Sequence, residues 1–417
     1  MGLSPSADPQ QSQPPAPEAV SAAPLLVFSD DWGRHPSSSQ HLVTRFLGQR
    51  PIVWINTIGT RPPRLDTETV RRVIEKVRQW TGGVARTQSA WRADAQPVVL
   101  NPRMWPSFGS RGSRALNRWL LSTALRTVIA QLPSPPVVLT TLPITADLVG
   151  TFPSRGWLYY CVDDFATWPG YDGETMRAME AKLVPRVDAV VTVSETLADH
   201  VARLGRSSEL LTHGVDIAHW SKAGTEPPLL TQQYADLARP LVVFWGGIDR
   251  RMDIDLLRAT ATSMKTGTIL LVGPQDNPDP QIFAIPRVIV RPAVPYAQLP
   301  TIGATADVLV MPYADLPATR AMQPLKLKEY LATGKPVVVR ALPSTRPWAD
   351  ACDVCGDPSS FAAAVLARIE SGTPSEQQRA RGTLNDETWD AKAQQLSIWI
   401  DLVSAASSSS QPNAANR

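Results

Sequence analysis

Cysteine is scarce in this chain, with three in 417 residues, so no disulfide scaffold holds it together. Long apolar runs are missing too; none approaches the roughly 18 to 20 residues that cross a bilayer. The opening stretch, MGLSPSADPQQSQPPAPEAV, has neither a basic n-region nor an apolar h-region and does not read as a secretory signal. Net charge is nearly absent: 41 Lys and Arg against 38 Asp and Glu leave +3. That balance excludes an overall polycationic nucleic-acid binder, so no nucleic-acid partner is expected, and it excludes a strongly acidic protein as well. No unit of 20 to 50 residues recurs, which removes repeat architectures. The chain also lacks G-x-G-x-x-G, the mark of a dinucleotide dehydrogenase. Gly334-Lys335 is followed by Pro336 rather than Ser or Thr, so it is no P-loop. A lone C-x-x-C, Cys352 to Cys355, lacks the second pair that zinc would need and reads as two loop thiols; no metal and no cofactor is expected. The expectation at this level is a cytoplasmic protein of two domains.

What the chain does have is proline, 39 residues and about twice average usage. Many lie in the first 25 positions, where Pro, Ser, Gln and Ala leave almost nothing to bury; residues 1–23 and 404–417 are expected to be disordered tails. Between them the composition is 43% hydrophobic and 19% charged, enough for a large core. Short β-branched runs alternate with helical stretches, the pattern of parallel α/β architecture. Strands are expected at 25–30, 51–56, 97–100, 136–143, 157–164 and 189–194, several of them continuously apolar as befits strands covered on both faces. Helices are expected at 40–47, 114–132, 174–184 and 195–204, and residues 59–93 form an excursion. A Pro- and Gly-rich stretch, 222–239, reads as a linker between a first domain, 24–221, and a second, 240–385. The second offers strands at 241–248, 268–273, 288–294, 308–314 and 336–342. A last helix, 386–403, carries Trp389, Leu396, Trp399 and Ile400 at roughly helical spacing and is placed to clasp the two domains together. The fold class is therefore α/β, with two Rossmann-like domains whose ligand-binding ends face a central cleft.

The segment that speaks most directly of chemistry runs from Gln323 to Val338, QPLKLKEYLATGKPVV. Pro324 can begin a helix, because its missing N–H would be unsatisfied there anyway, and Gly334 can end it. Lys326 and Glu329 are three apart and share a face. A helix start offers free N–H groups to an anion, and Lys326 adds a full positive charge. Glu329, one turn on, is spaced to accept hydrogen bonds from a ribose diol, so the pair describes a nucleotide. A solvated Lys and Glu on an amphipathic helix is the plainer alternative, against which stands the strand–loop–helix context at an expected cleft. Gly246-Gly247 after an apolar strand would let backbone approach a phosphate, although such a pair is more often a tight turn. Tyr296 either contacts a nucleotide base or is an ordinary packed loop aromatic. Asp163-Asp164 closes an apolar strand at the end where such folds bind ligands; one carboxylate is a candidate general base and the other a cap for the following turn. His213 reads as a loop hydrogen-bonding residue and His41 as a helix-start residue near the cleft.

The pattern P-x-K-x-x-E-Y-x-A-x-G-x-P-V-V resembles the donor-site helix of GT-B glycosyltransferases, notably the bacterial group 1, family 4-like enzymes of surface polysaccharide synthesis. It is similar also to the xanthan-type glucuronosyltransferases. Gln40-His41-Leu42 resembles the first βα turn of such proteins, Thr140–Pro143 their Thr-x-x-Pro element, and Tyr160–Phe165 their acceptor-side loop. Ser194–Leu197 and His213–Asp216 resemble the approach to the linker, and Gly246–Asp253 the opening of the second domain. The resemblance spans about residues 25–403. It implies a donor site of Gly246, Gly247, Arg251, Tyr296, Gln323, Lys326 and Glu329 for a UDP- or GDP-linked sugar, and it places the more recurrent acid at Asp163, with Asp164 beside it. Two departures stand out. The first Glu of the retaining Glu-x7-Glu motif falls on Ala321, which leans toward direct displacement with inversion. The Arg and Lys that commonly follow the opening glycines fall on Ile248 and Met252, leaving Arg250 or Arg251 as substitutes.

Arg103, Arg111, Arg114, Arg118 and Arg126 are interleaved with Trp105, Phe108, Trp119, Leu120 and Leu121. Such a stretch suits an anionic membrane surface, with Arg111, Arg114, Arg118 and Trp119 at its centre; the alternative turns Trp119 into the domain core. Together these readings predict a peripheral enzyme on the inner face of the membrane, moving a hexosyl or glycuronosyl group from a nucleotide sugar to a lipid-linked or glycan acceptor in exopolysaccharide synthesis. The rivals are a non-catalytic GT-B partner protein, which Ala321 favours, and a sugar-nucleotide epimerase.

Overall fold

The computed structural model describes residues 22–34, 36–57, 96–221 and 234–409. The expected excursion at 59–93, residues 222–233 of the expected linker and most of both expected tails lie outside the described residues. Two parallel sheets organise the rest. The first holds β1 (Leu25–Ser29), β2 (Ile52–Asn56), β3 (Val98–Leu100), β4 (Val137–Thr140), β5 (Gly156–Cys161), β6 (Ala189–Thr192) and the short β7 (Glu209–Leu210), in the order β3-β2-β1-β4-β5-β6-β7. Their cores read LLVFS, IVWIN and GWLYYC and are buried throughout, because helices cover both faces. The second sheet joins β8 (Leu241–Trp245), β10 (Thr268–Val272), β12 (Val288–Arg291), β13 (Val308–Met311), β14 (Val337–Arg340) and β15 (Asp353–Cys355), in the order β12-β10-β8-β13-β14-β15. A small pair, β9 (Ile248–Asp249) with β11 (Gln275–Asp276), flanks it. Cys355 thus ends an edge strand, while Cys352 sits in the bend before it; both thiols are buried, and the reading as two loop thiols is corrected for Cys355 alone.

Around the first sheet lie α1 (Ser38–Thr44), α2 (Arg111–Ile129), α3 (Gly173–Leu183) and α4 (Glu195–Arg203), whereas α5 (Ile217–Ser221) already packs on the second domain, with Trp220 in its core, so the expected domain boundary at 221 falls earlier. The second carries α6 (Ile254–Ser263), α7 (Leu299–Thr305), α8 (Pro317–Ala321), α9 (Leu325–Ala332), α10 (Pro358–Ser371) and α11 (Ser375–Ala380). Strand order reverses between β1 and β4 in one sheet and between β8 and β13 in the other. Each reversal leaves a crevice beyond the carboxyl ends of the strands, where ligands bind in such folds.

The last helix, α12 (Trp389–Ser409), crosses back onto the first domain. Trp389, Ala393, Leu396, Ile400 and Val403 are buried in that domain's core. Arg50 pairs with Asp401 at 3.1 Å and Arg45 with Asp390 at 3.4 Å. A Cβ on Gly156, whose φ is +153°, would lie 2.4 Å from a Val403 methyl, so only glycine lets the helix settle there. The helix starts at Trp389, not 386, and runs past the expected end at 403. Ser404 is buried and within 3.3 Å of Arg155, so packing overrides a serine-rich composition as far as Ser409.

Candidate active site

Lys326 and Glu329 lie on α9, which begins one residue after Pro324 and is closed by Gly334 at φ +77°. Pro324 occupies the cap position rather than the first helical one, and among the described residues no side chain caps this end. Gln323 is buried immediately before it. The first turn therefore presents uncapped N–H groups to the cleft. Lys326 reaches across to the end of β8: a Cβ on Gly246, whose φ is +138°, would sit 2.6 Å from both Cε and Nζ of this lysine. Gly246 must be glycine for the backbone conformation and for the approach. A Cβ on Gly273 would in turn meet the Gly246 carbonyl oxygen at 1.8 Å, so the ends of β8 and β10 converge on one small space with Lys326. The ammonium of Lys326 bonds the Tyr313 hydroxyl and stands 5.1 Å from the Phe244 ring centre and 4.8 Å from that of Tyr313. Among the described residues no carboxylate comes within 4.0 Å of it. It is a cation held by aromatic faces at a helix start, out of salt-bridge reach of any carboxylate among the described residues though close enough to act on Glu329.

Glu329, one turn further, accepts a hydrogen bond from the Trp245 indole at 3.3 Å. Burial pushes its carboxyl up to about 7, against the opposing pull of that indole and of Lys326. Trp245 was missed in the sequence; it stacks on Trp220 at 5.4 Å, and no local pattern announces a pairing 25 residues apart. Tyr296 is seated in the same aromatic group. His219 stacks on it at 4.6 Å and 5°, Trp220 meets it edge-on, and His41 from the first domain stands 5.8 Å away. One face of the tyrosine is thus already occupied, as in the packed-aromatic alternative.

Arg251 departs further from expectation. Its guanidinium is bound to Asp249 (Nε to Oδ1 at 2.9 Å, Nη2 to Oδ2 at 2.6 Å), and Gly247 lies against both side chains. It also stacks at 4.4 Å on Trp168 of the first domain. An arginine so engaged has little of its fork left for a diphosphate; it joins the two domains instead. Arg250 pairs with Asp279 at 3.4 Å on the outside.

On the facing side, Asp163 and Asp164 follow β5. Asp164 accepts the Ala166 N–H at 3.1 Å and so shapes the turn. The Asp163 carboxylate takes no hydrogen bond among the described residues. Burial drives its carboxyl up to about 7; Arg251 across the cleft opposes this, and Asp164 adds a smaller rise. The dominant cause is therefore burial rather than repulsion between neighbouring carboxylates. Ala321 packs into the core of the first domain, and its carbonyl accepts the Ser194 hydroxyl at 2.6 Å. A glutamate at this position would place its carboxylate in that apolar contact. The His213 ring, expected to hydrogen-bond its loop, is buried and has no well-formed hydrogen bond among the described residues; burial and nearby Lys328 hold it down at about 3 against a weaker pull from the Gln323 backbone, and its carbonyl does the bonding instead. His41 lies in α1, stacked on Trp389 at 4.6 Å, and burial lowers it to about 4.

Helix α2 turns Trp119 outward, 64% exposed, rather than into the core. Asn117 fixes the preceding loop by bonding the backbone of Trp105 and Ser107, which presents Trp105, 52% exposed, from the same region. Arg103, Arg111 and Arg118 are exposed, whereas Arg114 is drawn to Asp147 at 3.7 Å. Among the described residues no helix is long and apolar enough to cross a membrane, and no three His, Cys, Asp or Glu residues gather as metal ligands.

The sequence model of the group 1 glycosyl transferases matches residues 239–371. TuaH of Bacillus subtilis, whose name assigns it provisionally to teichuronic acid biosynthesis as a glycosyltransferase, is 30% identical over 185 residues, covering 41% of this chain and 45% of that one. The match thus spans less than half of that relative's length. Among solved structures, sucrose-phosphate synthase of Thermosynechococcus elongatus superposes with a TM-score of 0.65 at 16% identity, covering 92% of this chain and 100% of its own. Anabaena HepE, in complex with UDP and glucose, gives 0.65 at 13% identity, covering 91% and 100%. At these identities the shared property is the fold, across both domains.

Proposed function

We propose that this protein transfers a sugar from a nucleotide diphosphate sugar to an acceptor hydroxyl; the match of residues 239–371 to the group 1 glycosyl transferases, on a chain with the two-domain GT-B fold, supports the reading. The observation that carries the reading is Lys326. A cation without a carboxylate partner, lying on the Gly246 backbone at an uncapped helix start, matches a diphosphate, and Glu329 one turn on matches a ribose diol. The solved HepE complex holds UDP and glucose on the same fold, which supports UDP as the nucleotide. Asp163 faces this site from the first domain and is the base that takes the acceptor's proton. Closure of the domains excludes water, the competing acceptor. The name of the Bacillus relative supports an acceptor in surface polysaccharide synthesis, with the glycuronosyl or hexosyl identity set by the donor. Calorimetric titration with UDP and with GDP, followed by mass identification of the nucleotide sugar that the protein consumes, tests the proposal. Binding of neither nucleotide would overturn it, and binding without consumption would leave the non-catalytic partner that the buried Ala321 favours.

We propose further that the acceptor is lipid-linked and that α2 seats the protein on an anionic bilayer. Trp105, Leu116 and Trp119 supply the apolar contact, and Arg103, Arg111 and Arg118 the charge. The protein should sediment with vesicles containing anionic lipid, less so at high salt. Each arginine near such a surface contributes about 1 kcal/mol, so Arg111→Glu with Arg118→Glu should weaken binding by more than roughly tenfold. Equal recovery on neutral and anionic vesicles would remove the electrostatic part.

A further inference from the structure

Two stretches of chain lead from one domain to the other, and they meet at one point. Val215, on the way out of the first domain, pairs in parallel with Thr388 on the way back; the Val215 N–H donates to the Glu387 carbonyl at 2.9 Å and the Trp389 N–H to the Val215 carbonyl at 3.3 Å. Any rotation of one domain against the other must pivot near this pair. Lys328 of α9 reaches it. Lys328 lies two residues on from Lys326, about 200° around the helix, so it faces away from the donor site. Its side chain is only 2% exposed. The ammonium donates to the His213 carbonyl, to the Thr212 hydroxyl at 3.2 Å and to the Glu387 carboxylate, and so holds both crossings at once. Thr212 also donates to Glu387 at 3.1 Å, and Lys392 at the start of α12 pairs with the same carboxylate at 2.9 Å.

A buried cation is a poor way to gain stability, since desolvation opposes its attraction to Glu387. Burial accordingly lowers the Lys328 ammonium to about 8, even with that carboxylate beside it. What three directional bonds supply is geometry. The helix whose other face carries Lys326 and Glu329 is pinned to the pivot on which closure depends. We infer that Lys328, acting with Glu387, is a positioning residue that sets the angle between the domains, so that a nucleotide settling on α9 brings Asp163 over the donor. The inference rests on the proposed transfer reaction for its consequence, but the hinge itself can be tested apart from it.

The test compares the wild-type protein with Lys328→Met, which keeps length and removes the donors, and with Lys328→Arg. Glu387 retains Lys392 in both, so no carboxylate is stranded. Small-angle scattering of the wild type should show one radius of gyration that contracts on adding UDP. Lys328→Met should have a larger radius without ligand and no contraction with it, and Lys328→Arg should restore part of the contraction. UDP affinity should stay within about twofold, while turnover of whichever nucleotide sugar the mass identification finds consumed falls by at least about tenfold. If Lys328→Met does not fold, Glu387→Gln provides the same comparison. Scattering and turnover equal to wild type in a folded variant would overturn the hinge role. A wild type that binds neither UDP nor GDP would overturn the transfer reading alone, because the ligand-free radii still decide whether Lys328 fixes the domain angle.

Discussion

Asp163→Asn is expected to lower turnover by roughly 10² to 10⁴-fold, the usual contribution of a positioned base, with UDP affinity unchanged. The amide keeps the shape of the side chain but cannot take the acceptor's proton. Donor binding survives because Lys326, Glu329 and the β8 turn all belong to the other domain. The pH profile sharpens the expectation. Burial raises Asp163 to about 7, with Arg251 opposing and Asp164 adding to the rise. A base must be ionised to act, so wild-type turnover should climb as pH passes through about 7, and the residual activity of Asp163→Asn should lack that limb. Measuring UDP binding and turnover in one preparation separates a lost base from a lost fold. Wild-type turnover in Asp163→Asn would remove this residue from the mechanism. The anomeric configuration of the product checks the route: inversion is expected with Ala321 in place of an acid, and retention would overturn the direct displacement, which alone needs a base so placed.

The second large effect belongs to the donor helix. Lys326→Ala and Glu329→Ala should each weaken UDP binding by about one to two decades, since a charge-assisted contact contributes about 1.5 to 3 kcal/mol. Neither should unfold the domain. Lys326 gives up one bond to Tyr313, and Glu329 one long bond from Trp245. Ribose hydroxyls donate to the ionised carboxylate, so with Glu329 raised to about 7 by burial, UDP affinity should rise with pH across that value. Lys326 is one of the groups holding Glu329 down, so Lys326→Ala should move this midpoint upward, and Glu329→Gln should flatten the profile. Calorimetry at pH 6 to 8 reads all three variants. Unchanged affinity in both alanine variants would sink the donor-site assignment.

The order of elements and the candidate donor helix were legible in the chain itself. Strands covered on both faces are short continuous apolar runs, and LLVFS, PVVL, TILLV and VVVR show as such without any partner being known. Pro324 and Gly334 bracket α9 because proline and glycine act on the backbone locally, and the three-residue spacing of Lys326 and Glu329 puts them on one face whatever surrounds them. The two-residue strands β7, β9 and β11 were not visible, since two residues show no period. What each polar group does was decided only when the chain folded. Arg251 is committed to Asp249 nearby and to Trp168, 83 positions earlier; Lys328, read only as an intervening residue of a pattern, meets Thr212, 116 positions earlier, and Glu387, 59 positions later. Trp119 is apolar yet faces solvent, and the serines that open the last tail are helical because α12 lies on the first domain. Backbone preference and apolar spacing act within a few residues and so are written in the sequence. Burial, ion pairing and the pivot between domains depend on which distant segments meet, and only the tertiary structure decides that.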